Sequence, residues 1–140
     1  MKLLAGHRVA VLGTMAGRPL SRYLASLGAE LGGPSEGASF VIDDLGRAAT
    51  ADLPIGTDAV HVSVTPFGSD GPRSDWRGGE LVASATGGAL RLTGQPGEMP
   101  VKEAGDACTF HAEMVAAAGA MAAHFARGTH GHGQHVDVSI

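Results

Sequence analysis

Cysteine occurs once in 140 residues, at Cys108, so the chain has no internal disulfide with which to staple its fold. Aromatic residues make up only 4% of the sequence, with a single Trp and a single Tyr, which excludes a core built on large rings. Glycine and alanine are abundant instead and point to close backbone packing. Basic residues are few and scattered. Ten Lys and Arg against fourteen Asp and Glu leave a formal charge of -4 with no basic stripe, which argues against a nucleic-acid partner. Long hydrophobic runs are missing as well. The least polar stretch, Met114 to Ala123, falls short of the about 20 apolar residues that a membrane span needs, and reads as a buried helix. The start, MKLLAGHRVAVLG, is broken by Gly6, His7 and Arg8 and is no continuous secretory h-region, so a cytoplasmic location without membrane contact is expected.

What is present is the length and apolar share, 44%, of one globular domain over residues 1–140. Arg8 to Leu12 reads as a strand. After a small-residue turn, Leu20, Tyr23, Leu24 and Leu27 recur at helical spacing over Pro19 to Leu27, and Gly28 supplies a left-handed stop. A second strand begins near Ala29, followed by the turn-rich GGPSEGAS. Strands are expected at Phe40 to Asp44, Ala59 to Val64 and Gln134 to Ile140, and helices at Glu80 to Thr86 and Phe110 to Phe125. Short apolar runs separated by helices or linkers predict an α/β, Rossmann-like fold with a mostly parallel sheet and flanking helices. A strand at the end of the chain needs a neighbour from elsewhere, so a fragment or a partner-completed subunit is expected.

The most informative stretch is His61 to Pro72, HVSVTPFGSDGP. Val60, Val62, Val64 and Thr65 favour an extended chain, and Pro66, Gly68 and the Gly71-Pro72 pair break it sharply. With R-G-x-x-L-V from Arg77, LVASATGGALRLTG, Pro100-Val101, an alanine-rich helix and GHGQHVDVSI, this loop resembles CoA-transferase family III. The order and spacing of the pieces carry the likeness from Val60 to Ile140. AGRPLSRYLASLGAEL, from Ala16, also resembles that family's first crossover helix. The chain is shorter than the family between Leu31 and Phe40, where contacts to the CoA adenine and phosphates are normally supplied.

The resemblance implies a domain or subunit that transfers CoA between an acyl-CoA thioester and a carboxylic acid. It implies a CoA thioester as substrate, no tightly bound cofactor, and a second polypeptide or homo-oligomer, because family members are interlocked dimers. It also implies nucleophilic catalysis by a carboxylate just before the alanine-rich helix. That aspartate column falls on Thr109, whose hydroxyl has no evident base nearby. Asp106, three residues earlier, is the candidate catalytic carboxylate, with helix N-capping as the plain alternative. Candidate substrate- or CoA-binding residues are Gly13, Met15, Ala16 and Gly17 in the first turn, and Thr65, Pro66, Phe67 and Gly68 in the later loop. Gly13 and Met15 stand where the family carries polar residues. The turn lacks the G-x-G-x-x-G fingerprint, so it is either a ligand-approach site at a helix N-terminus or only a tight turn. Racemase chemistry would need a histidine where Gly79 and Glu80 stand.

Other groups are read plainly. His130 and His132 fit no zinc spacing and are assigned to an exposed turn, so no metal is expected. Cys108 is a small residue before a helix. Asp43 and Asp44 end a strand and are read as solvated or capping. Two rivals remain: a silent scaffold that keeps the fold without the nucleophile, and a nucleotide-binding oxidoreductase domain unrelated to CoA.

Overall fold

The computed structural model describes residues 2–140. Its strands are β1 (Arg8–Val11), β2 (Glu30–Leu31), β3 (Phe40–Asp43), β4 (Val60–Thr65) and β5 (His135–Ser139). They form one sheet of order β2-β1-β3-β4-β5 in which every pairing is parallel. The helices are α1 (Pro19–Ser26), α2 (Arg47–Thr50), α3 (Glu80–Thr86), α4 (Ala89–Leu92) and α5 (Ala107–His130). This is the expected Rossmann-like α/β arrangement.

Apart from the two-residue β2, the strands form where β-branched residues cluster, and strand alternation gives the sheet two unlike faces. On one face Val9, Phe40, Ile42, Val60, Val62 and Val64 are buried beneath Leu20 and Leu24 of α1 and the alanines of α5. Full burial of each such aliphatic side chain stabilises the fold by about 1.5–3 kcal/mol. Small residues let α5 lie close to the sheet, closest at Gly119, where even an added Cβ would stand 2.7 Å from Val136 Cγ1. The opposite face carries a small cluster, Ala10, Ala38 and Val41 with Leu12 and Ile55, and then turns polar at Asp43, His61 and Ser63.

Helix ends follow local chemistry only in part. Pro19 opens α1, and Gly28 adopts φ +102° just beyond it, the left-handed stop expected there. Gly131, at φ +75°, closes α5, its N–H donating to the Arg127 carbonyl. Helix α5 is longer than the apolar periodicity indicates, beginning at Ala107 rather than Phe110 and ending at His130 rather than Phe125. The four-residue helices α2 and α4 carry no periodic signal. No helix among the described residues is long and apolar enough to cross a membrane.

Candidate functional site

A cleft of about 780 Å³ opens at the C-terminal ends of the strands, the edge where parallel sheets place their ligand sites. Its walls come from the turn after β1 (Gly17, Arg18), from Asp44 after β3, from Pro66 after β4, from Gly78 to Glu80 at the start of α3, and from the first turns of α5. Four carboxylates line it, those of Asp44, Glu80, Asp106 and Glu113, against one guanidinium, that of Arg18.

Three of these carboxylates are tied to backbone N–H groups of other elements. Glu113, fully buried on α5, accepts from Arg18 Nε and a terminal Arg18 nitrogen, each at 2.6 Å, and from the Leu20 N–H at 2.9 Å. It thereby serves the free N–H groups at the start of α1, whose own N-cap residue supplies no side-chain bond. Asp44 accepts the Thr14 N–H at 3.0 Å and the Thr14 hydroxyl, and lies 3.7 Å from Arg18. Glu80 performs the same service for α5. Its Oε1 accepts the Cys108 N–H at 2.6 Å, and its Oε2 accepts the Thr109 N–H at 3.1 Å and the Thr109 hydroxyl at 2.7 Å. Burial pushes the Glu80 carboxyl upward, but these bonds outweigh it and hold it below the ordinary glutamate value.

Asp106 is left over. It occupies the N-cap position of α5, yet its side chain makes no capping bond and is exposed to the cleft, because Glu80 has taken the N–H groups it would serve. Sequence reasoning missed Glu80 and Glu113, since each reaches its partner across a gap that no local pattern encodes. The neighbouring Cys108 thiol is pushed up by burial and by the Glu80 charge, so it stays protonated near neutrality.

The remaining residues expected at the site separate. Gly17 and Pro66 line the cleft together with Asp106 and Thr109. Gly13, at φ +64°, is needed for close approach, but the group approaching it is Asp44, whose Oδ1 would stand 1.9 Å from an added Cβ. The Met15 side chain is fully buried in the core, and Ala16 is exposed outside the cleft lining. Thr65 faces the other side of the sheet, its buried hydroxyl without a hydrogen-bond partner among the described residues. Phe67 packs edge-on against Trp76 with ring centroids 5.7 Å apart. Gly68 is buried beside Asp137, which also binds the Ser69 N–H and hydroxyl.

On the opposite face, Asp43 is fully buried and its Oδ2 accepts from His61 Nε2 at 2.7 Å and Ser63 Oγ at 2.8 Å. A carboxylate only accepts, so the His61 proton sits on Nε2, and His135 Nε2 in turn donates to Ser63 Oγ at 2.9 Å. The two imidazoles stack at 4.5 Å. Burial would raise the Asp43 carboxyl, but the bonds from His61, Ser63 and the Leu45 N–H outweigh it and hold it below the usual aspartate value. His130 ends α5 and His132 follows it, both exposed, and no group of three ligating side chains suited to a metal exists among the described residues.

The profile of CoA-transferase family III matches residues 53–140. Among curated proteins the chain is similar to succinyl-CoA:(R)-benzylsuccinate CoA-transferase subunit BbsE of Thauera aromatica, 41% identical over 80 residues, which is 57% of this chain and 20% of that protein. It is also similar to succinate–glutarate CoA-transferase of Agrobacterium fabrum, 26% identical over 81 residues, 58% of this chain and 20% of that protein. Among solved structures, a CAIB/BAIF family protein from Brucella suis superposes with a TM-score of 0.85 at 20% identity, over 97% of this chain and 52% of the other. A hypothetical protein from Mycobacterium tuberculosis gives 0.83 at 18% identity, over 99% and 55%. These likenesses to solved structures show the fold. The chain spans about half the length of the solved chains it matches, and the matched stretch covers about a fifth of these curated relatives.

Proposed function

Because the chain belongs to CoA-transferase family III, we propose that it acts as a cytoplasmic CoA-transferase-like domain or subunit, moving CoA between an acyl-CoA thioester and a carboxylic acid. The observation that carries this reading is the cleft, where carboxylates converge on the N-terminus of α5 within the family-matched residues. CoA is the substrate here, and no tightly bound cofactor is required.

The cleft's charge selects which end of the substrate enters. Four carboxylates against one guanidinium repel the phosphates of CoA, so the thioester end enters while the phosphates stay outside. Gly17 and Pro66 shape the entrance. A cleft carboxylate then attacks the thioester carbon, which divides one acyl transfer between two weak nucleophiles into easier covalent steps. Asp106 is the carboxylate that the sequence nominates. The remaining contacts to CoA come from a second polypeptide or a second copy, as the short segment between β2 and β3 requires.

A second reading is favoured by Thr109. With threonine in the aspartate column and its hydroxyl bonded to Glu80, the chain is a silent partner that supports an active subunit. The Thauera relative is itself named as a subunit. Purified chain mixed with succinyl-CoA and a dicarboxylic acid is expected to yield the second acid's CoA thioester, read by chromatography. Binding of succinyl-CoA in calorimetry without transfer supports the silent reading, and neither binding nor transfer refutes both.

A further inference from the structure

Resting on the transferase reading, we infer that Glu80, rather than Asp106, is the nucleophile, and that Thr109 serves it as an oxyanion donor. Each cleft carboxylate can be judged by what its oxygens already do. Glu113 has no exposure and gives both oxygens to Arg18 and Leu20. Asp44 holds the Thr14 turn and lies beside Arg18. Asp106 is exposed and held by no side-chain bond, so nothing fixes its orientation.

Glu80 is both open to the cleft and oriented, and its two oxygens are treated differently. Oε2 accepts two strong donors, the Thr109 N–H and hydroxyl, whereas Oε1 accepts one, the Cys108 N–H, and the weakly donating Cys108 thiol lies beside the same carboxylate. A carboxylate oxygen has two lone-pair sites, so Oε1, with one strong donor, is the oxygen more readily released for attack. That asymmetry matches what a covalent carboxylate needs. Oε1 attacks the thioester carbon, the C–S bond breaks, and CoA leaves as the thiolate, giving a mixed anhydride. The thiolate next attacks Cδ of Glu80, the Cδ–Oε1 bond breaks, and the donor acid departs as its carboxylate carrying that oxygen. During this attack negative charge gathers on Oε2, where two donors already wait. Attack of an acceptor carboxylate on the resulting glutamyl-CoA thioester repeats the steps in reverse.

Thr109 is thus the donor at the position where the family places its acid, and the acid arrives from α3. The hydrogen bonds that fix Glu80 also keep it ionised near neutrality.

Tryptic cleavage after Arg77 and Arg91 leaves Glu80 as the sole carboxylate side chain of its peptide, whereas Asp106 falls in the peptide from Glu103 to Arg127. The intact chain is incubated with succinyl-CoA, quenched with hydroxylamine, digested and analysed by mass spectrometry. A hydroxamate on the 78–91 peptide, absent in Glu80→Gln and retained in Asp106→Asn, supports the inference. Thr109→Val is expected to retain the adduct and slow its formation about 100-fold. A hydroxamate on any other peptide overturns the role of Glu80 while leaving CoA transfer standing. Transfer without any hydroxamate overturns the role of Glu80 alone, and absence of both hydroxamate and transfer overturns it together with the transferase reading. Circular dichroism of each variant separates loss of the nucleophile from loss of the α5 cap.

Discussion

Replacing Glu113 with alanine is expected to destabilise the fold by about 3–5 kcal/mol, the usual cost of breaking a buried ion pair. The carboxylate has no exposure and accepts from two Arg18 nitrogens at 2.6 Å and from the Leu20 N–H at 2.9 Å. Its removal leaves the partly exposed Arg18 guanidinium with only Asp44, 3.7 Å away, and leaves an N–H group of α1 unbonded, the second alone costing about 1–3 kcal/mol. With a urea slope of about 2 kcal/mol per molar, the midpoint falls by about 1.5–2.5 M at an unchanged slope. Glu113→Gln costs less, since its amide oxygen still accepts from Leu20. The double variant Arg18→Met with Glu113→Leu regains only part of the loss, because apolar groups of similar volume replace the buried pair while the Leu20 N–H stays unbonded and Asp44 loses its neighbouring cation. The assay is urea unfolding followed by far-ultraviolet circular dichroism. A midpoint shift for Glu113→Ala below about 0.3 M, the range of neutral surface changes, refutes the reasoning.

Stability is expected to be highest above about pH 6.5 and to fall as the pH drops below it. Burial, aided by Arg127, His7 or His61 nearby, holds His7, His124 and His135 below the ordinary value of 6.5, so the unfolded chain takes up protons first. A second loss, below about pH 4, follows as Asp43 and Glu80 protonate, since both carboxyls lie below their ordinary values. Urea midpoints measured against pH check both, and a flat profile between pH 7 and 5 contradicts the first. Gly13→Ala should cost well over the about 1–2 kcal/mol of a left-handed alanine, because its Cβ meets Asp44 Oδ1 at 1.9 Å, whereas Gly17→Ala should cost only that amount. Paired melting curves rank the two, and equal losses contradict the clash. Cys108 should alkylate slowly near neutral pH and faster in Glu80→Gln, since the Glu80 charge helps keep the thiol protonated, and a timed iodoacetamide reaction reads this.

Much of the sheet was legible because β1, β3, β4 and β5 are short runs rich in β-branched residues, and they lie within one residue of expectation at each end. The span of α3 was read without error. The true start of α5 was hidden, since Ala107–Thr109 have no apolar period and are held by a carboxylate 28 residues upstream. The site was legible as a region and obscure as chemistry. Gly17, Pro66, Asp106 and Thr109 do meet in the cleft. That Asp44 fills the glycine turn, that Glu80 displaces Asp106 as cap, and that His61, His135 and Asp43 adjoin depends on strand register and helix docking. No residue announces such pairings in its own neighbourhood.

The carboxylates exchanged between helix ends also set an order of events for the newly made chain. The α1 N–H at Leu20 waits for Glu113, 93 positions later, and α5 in turn waits on Glu80. Neither helix completes its first turn from its own segment, and α1 at 8 residues is too short to persist alone in water. A growing chain released before residue 113 should therefore hold α1 only loosely, and the compact state should appear late and all at once, as non-local closure dictates. Hydrogen exchange on a 1–106 truncation, with fast exchange at Leu24 there and slow exchange in the 140-residue chain, would display that dependence.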